Sequence, residues 1–151
     1  MASGLLSINA ADAGMDTVPG MKELSPHINL VSAWVGLLLG FASGALMGLK
    51  FHQPDWLGGY ASFPRRMIRL GHISFFGLGM VNLMFYFVAR SLPQFGPALV
   101  AASWLFIVGA VTMPLCCALL LRGPVWRNAF AVPVLSLLVG AGLTLWKLVP
   151  L

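Results

Sequence analysis

The side chains able to ligate a metal, move a proton or attack a substrate are few in this chain. They are three histidines (His27, His52 and His72), two adjacent cysteines (Cys116 and Cys117) and four acids. His72 has the strongest claim. It stands three residues after Arg69, at the start of an apolar run. A helical histidine that faces a bundle interior can ligate haem iron or a metal through a ring nitrogen. His52 follows the first apolar run and is the second ligand that a haem b or metal centre for electron transfer would use. Cys116 and Cys117 fall near the same depth as His72, so a cluster of His52, His72 and one cysteine is permitted, whereas His27 falls on the other side of the membrane. The plainer reading has His72 bonded to a carbonyl, a tyrosine or a lipid headgroup, His52 in the interface, and two thiols that simply pack. Neighbouring helical positions diverge, so the cysteines are badly placed to bridge each other. Met80 and Met84, four apart, offer two thioethers, but apolar packing accounts for them without copper. No metal site is expected from these spacings, and no catalytic motif is present.

The elements that must position these groups are apolar throughout. Of 151 residues, 59% are hydrophobic and 9% charged, with mean hydropathy +0.90. Soluble domains carry about 25% charged residues, so this chain lacks the polar cover that water demands. Four uncharged runs, Ile28 to Leu49, Leu70 to Ala89, Ala98 to Leu121 and Asn128 to Trp146, each approach the roughly 20 residues that cross a bilayer. The expected fold is all-α: a polytopic membrane protein with four transmembrane helices, about 28–50, 68–90, 97–121 and 128–147, in an up-down bundle. Residues 1–27 hold Asp12, Asp16, Lys22 and Glu23 and are expected to form a polar tail rather than a secretory signal. Pro114 and Pro133 fall inside the third and fourth runs, where a kink is expected.

Orientation follows from the basic residues. Lys50, Arg65, Arg66, Arg69, Arg122 and Arg127 flank the first and third connections, against Lys22, Arg90 and Lys147 on the opposite side. Six against three places both termini on the non-cytoplasmic side, with a bacterial cytoplasmic membrane as the expected location. The formal net charge of +5 therefore belongs to orientation and anionic headgroups, and nucleic acid is not an expected partner.

Two helix faces stand out. Gly36, Gly40, Gly44 and Gly48 repeat every four residues, a ridge without side chains along which another backbone can approach, from this chain or from another protein. Ser136, Gly140 and Thr144 repeat the pattern more weakly. On the second helix His72, Asn82 and Tyr86 form a polar stripe that must face protein, and it could line a lipid or quinone pocket. The longest connection, Phe51 to Met67, carries Trp56, Tyr60, Arg65 and Arg66, with Arg69 on its flank, all expected at the interface on lipid headgroups, and Asp55 paired to Arg65 or Arg66.

Function is read mainly by exclusion. The four runs contain no Asp, Glu, Lys or Arg, which coupled transporters bury, and no acid–base pair that an enzyme needs. The expected function is a small non-catalytic subunit that stabilises or assembles a larger membrane complex, possibly an energy-transducing one. Its expected partners are other membrane subunits and bound lipids. The alternatives are a haem b or metal electron-transfer subunit using His72 with His52, and a lipid- or quinone-binding protein.

Overall fold

The structure is a computed structural model and describes residues 19–149. All regular structure among them is helical: α1 (Pro19–Gly48), α2 (Phe63–Ser91), α3 (Pro97–Leu120) and α4 (Ala131–Leu148), with short 3-10 turns at Trp56–Gly58 and Pro124–Phe130. Four stretches are long and apolar enough to cross a membrane: Pro26–Gly48, Phe63–Ser91, Pro97–Leu120 and Pro124–Leu148.

The helix starts differ from the hydropathy reading for local reasons. α2 begins five residues before 68, because Ser62 accepts a hydrogen bond from the Arg65 backbone N–H (3.3 Å) and Pro64 occupies the first turn. Arg65 and Arg66 are thus helical along with Arg69, which was already within the expected span, and at 1.5 Å per residue α2 is about 44 Å long, well beyond a hydrocarbon core of ~30 Å. α1 begins at Pro19, so the last nine residues of the segment read as a tail are helical, and residues 1–18 lie outside the described residues. Pro133 sits in the first turn of α4 and interrupts no helix interior, because the chain from Pro124 to Phe130 winds as a 3-10 turn instead. Pro114 does lie inside α3.

The helices pack in chain order. α1 lies chiefly on α2, α2 on α3, and α4 on α3, while α1 touches α3 more sparingly. Phe85 and Ala89 of α2 meet Leu99, Ala102 and Phe106 of α3 in a buried cluster, with the Phe85 and Phe106 rings 5.2 Å apart. Large apolar side chains such as Trp34 and Leu38 on α1, or Leu135 and Leu138 on α4, point outward.

Lipid is as apolar as leucine, so close van der Waals contact must hold the helices together. α1 and α2 achieve it through glycine. A Cβ on Gly36 would stand 3.0 Å from the Phe75 carbonyl oxygen and 3.2 Å from the Gly79 Cα; one on Gly79 would stand 3.1 Å from the Ala33 oxygen. Farther along, Gly40 faces the Phe76 ring and Gly44 the His72 ring, whereas Gly48 faces open space. Three of the four ridge glycines therefore contact this chain's own second helix. α4 uses the same device on α3, with Gly140 against Phe106 and Gly109 against Leu137.

The contacts differ in what can yield. Gly36→Ala and Gly79→Ala press on backbone, and each lowers stability by about 1–3 kcal/mol. Gly48→Ala stays within about 0.5 kcal/mol of the parent. Unfolding of the purified variants in mixed micelles checks the ranking; equal effects at Gly36 and Gly48 contradict it.

Candidate functional site

Three buried polar side chains join α1, α2 and α3. Asn29 Nδ2 donates to Asn82 Oδ1 at 2.7 Å and to the Ser103 carbonyl at 3.2 Å. Asn82 Nδ2 donates to the carbonyls of Leu78 (2.9 Å) and Phe106 (3.4 Å), and Ser103 Oγ donates to Asn29 Oδ1. All three residues are 0% exposed. Every carboxamide atom has a partner, as a medium without hydrogen bonds requires. Sequence reading singled out Asn82 and missed Asn29 and Ser103. The available signal was that Asn29 and Asn82 are the only carboxamides in the four helices.

His72 and Tyr86 do not share this network. His72 Nδ1 lies 2.9 Å from Ser43 Oγ, which also stands 3.1 Å from the Gly40 carbonyl oxygen. The single Ser43 proton can go to Gly40 or to Nδ1, so the His72 tautomer follows from which of the two it takes, and Nε2 has no partner among the described residues in either case. The ring stands edge-on to Phe76, 5.4 Å between centroids, and lies against Gly44. Tyr86 sits 14 residues farther along α2, about 21 Å away. There its ring meets those of His27 (6.0 Å) and Phe87 and the Arg90 guanidinium. One pocket lined by His72, Asn82 and Tyr86 is thus corrected by the geometry. His52 is exposed in the turn after α1. Cys116 and Cys117 are free and buried, Cys117 packing on Gly71. Among the described residues no three His, Cys, Asp or Glu side chains converge as a metal site.

The arginine-rich connection is built differently from a headgroup anchor. Arg65 is only 4% exposed. Its guanidinium carbon lies 5.9 Å from the Phe51 ring centre, 5.5 Å from Trp56 and 5.4 Å from Tyr60. Nη1 donates to the Pro54 carbonyl at 3.4 Å, and Nε has no partner. Aromatic faces stand where a counter-ion would; each contributes about 0.5–2 kcal/mol. Asp55 instead stays exposed at the start of the 3-10 turn, and Arg69 bonds the Tyr60 carbonyl (3.3 Å) with its guanidinium 4.2 Å from that ring. The wrap needs a sharp reversal: Leu57 (φ 56°), Gly58 and Gly59 are successively left-handed, and Ser62 Oγ ties back to the Leu57 carbonyl at 2.6 Å. Arg65 is therefore withdrawn from lipid, and Arg66 and Tyr60 are the exposed members of the expected anchor. Rings at 51, 56 and 60 ahead of an arginine were the legible signal.

An apolar cleft of about 420 Å³ opens between α1, α2 and α3 where Gly36 meets Gly79, bordered also by Ser32, Phe75, Ala110 and Pro114. Proline at 114 has no N–H to offer the Ala110 carbonyl, and Ser32 is the one hydroxyl-bearing residue on otherwise apolar walls.

No family model, no curated protein and no solved structure matches this chain.

Two outcomes follow from this geometry. Asn82→Leu lowers stability by about 1–2 kcal/mol, and a double-mutant cycle with Asn29→Leu gives a coupling of about 0.6–1.7 kcal/mol in micellar unfolding; additive effects would contradict the network. Phenylglyoxal modifies Arg65 at least about tenfold more slowly than Arg66, and Trp56→Ala narrows that gap. Peptide mass spectrometry reads both rates, and equal rates in the parent protein would contradict the aromatic wrap.

Proposed function

We propose that this protein is a small, non-catalytic integral membrane subunit that stabilises a larger membrane complex. The supporting observation is how its intramembrane polar groups are used. Asn29, Asn82 and Ser103 bond one another, His72 bonds Ser43, and Ser74, Thr112, Ser136 and Thr144 bond their own helix backbones. The interior joins helices and holds no acid–base pair. At the flank α4 packs chiefly on α3, leaving a broad apolar face with Gly142 open on it. Such a face suits the close approach of another subunit's helix.

The topology that goes with this reading is an up-down bundle with both termini on the non-cytoplasmic side of a bacterial cytoplasmic membrane. Two observations favour it. Partners on α2 fall from Asn82 to His72 as positions on α1 rise from Asn29 to Gly44, and six of the nine basic residues flank the first and third connections.

A second reading, haem b or metal binding for electron transfer, draws on one feature, the Nε2 of His72, unpartnered among the described residues. Solubilisation in mild detergent separates the two. The expected result is migration well above 16.2 kDa with further subunits attached and no Soret band. A solitary, stable monomer sinks the assembly reading, and a Soret band lost in His72→Ala establishes the other.

A further inference from the structure

We propose that the groove between the start of α2 and the α3–α4 connection is a binding site for an anionic phospholipid, whose phosphate is held by Arg122 and Arg127. This goes beyond the assembly role and does not depend on it. The groove measures about 460 Å³, and Phe63, Pro64, Leu120 and Leu121 form its apolar lining. It lies where three apolar spans end or begin: one at Phe63, one at Leu120 and one at Pro124. That is the level at which a headgroup meets its acyl chains.

The charges are uncompensated, and the other cations show why that matters. Arg65 has a carbonyl and three rings, Arg69 a carbonyl and a ring, Arg90 the Tyr86 ring and Lys147 the Trp146 ring. Among the described residues, the side chains of Arg122 and Arg127 have neither and are exposed, as are those of Lys50 and Arg66, but of these four only Arg122 and Arg127 line the groove. No counter-ion is at hand within residues 26–149, since Asp55 is their only acid and it lies in the other connection. The turn that carries the two arginines is itself fixed. Arg122 N–H donates to the Leu119 carbonyl (2.9 Å), Gly123 N–H to Leu120 (3.3 Å) and Trp126 N–H to Gly123 (3.4 Å). Two guanidinium groups on an ordered turn can each present paired N–H donors to phosphate oxygens. A free inorganic anion would use the arginines but leave the apolar lining empty. An amphiphile with a phosphate and fatty chains uses both.

The test uses the full-length protein, delipidated in detergent and titrated with phosphatidylglycerol or phosphatidylcholine of identical chains, with bound lipid counted by native mass spectrometry. Phosphatidylglycerol is expected to be retained over phosphatidylcholine. Arg122→Gln/Arg127→Gln should cut that retention about 30-fold, as two basic contacts at a membrane surface contribute. Arg66→Gln, an exposed arginine that does not line the groove, should change it less than about twofold, because it makes no direct contact with the bound lipid. Excess inorganic phosphate should not displace the lipid. Equal loss in Arg66→Gln overturns the proposal in favour of diffuse attraction, and displacement by phosphate overturns it in favour of a simple anion site. Equal retention of the two lipids overturns it as well. Should the double glutamine variant lose its helical circular dichroism, Arg122→Lys/Arg127→Lys keeps the charge without the paired donors. It should still bind several-fold more weakly than the parent, and unchanged binding there overturns the proposal.

Discussion

The contact on which the rest of this molecule depends is the meeting of two backbones at Gly36 and Gly79. Without side chains between them, α1 and α2 come close enough for short polar side chains to reach across. Asn29 then reaches Asn82 at 2.7 Å on one side of the crossing, and Ser43 reaches His72 at 2.9 Å on the other. A wider spacing would strand both pairs in a medium that offers no replacement partner. Steric closeness comes first in this fold, and the hydrogen bonds are its consequence. The same order holds for α3, which joins the pair through Ser103 and the Phe106 carbonyl.

Much of this was legible from residue types alone, and what was not has a physical reason. Four spans could be read because hydrocarbon thickness sets a length and charge marks the ends, and the glycine ridge was visible because its spacing is local. Helix starts were misjudged where charge and helix overlap. Arg65 and Arg66 look like a loop on a hydropathy scale, yet Ser62 and Pro64 start a helix there. Long-range partners were the least visible part. Ser103 looks like an ordinary small residue until the fold brings it to Asn29, 74 positions away. Arg65 looked like a headgroup ligand, and only the reversal at Leu57 to Gly59 turns three rings onto it.

Six of the nine basic residues that orientation treats as one population divide by environment. Arg65 and Arg69 hold the first long connection in shape, Arg90 and Lys147 rest on rings at helix ends, and Arg122 and Arg127 face outward from a fixed turn. Charge count alone cannot separate these roles, because the separation depends on which cations already have a partner within the chain.

The ring-wrapped Arg65 also bears on how the protein sits in its bilayer. A hydrated cation resists being drawn toward hydrocarbon, because its water must be stripped away first. Arg65 has already exchanged that water for aromatic faces, so the cost of drawing the first turn of α2 deeper falls on the exposed Arg66 beside it. α2, at about 44 Å, is longer than the ~30 Å it must cross. A helix longer than the hydrocarbon is accommodated by tilt, and in α2 it is the hydrated Arg66, one position beyond the dehydrated Arg65, that limits how far its first turn can sink.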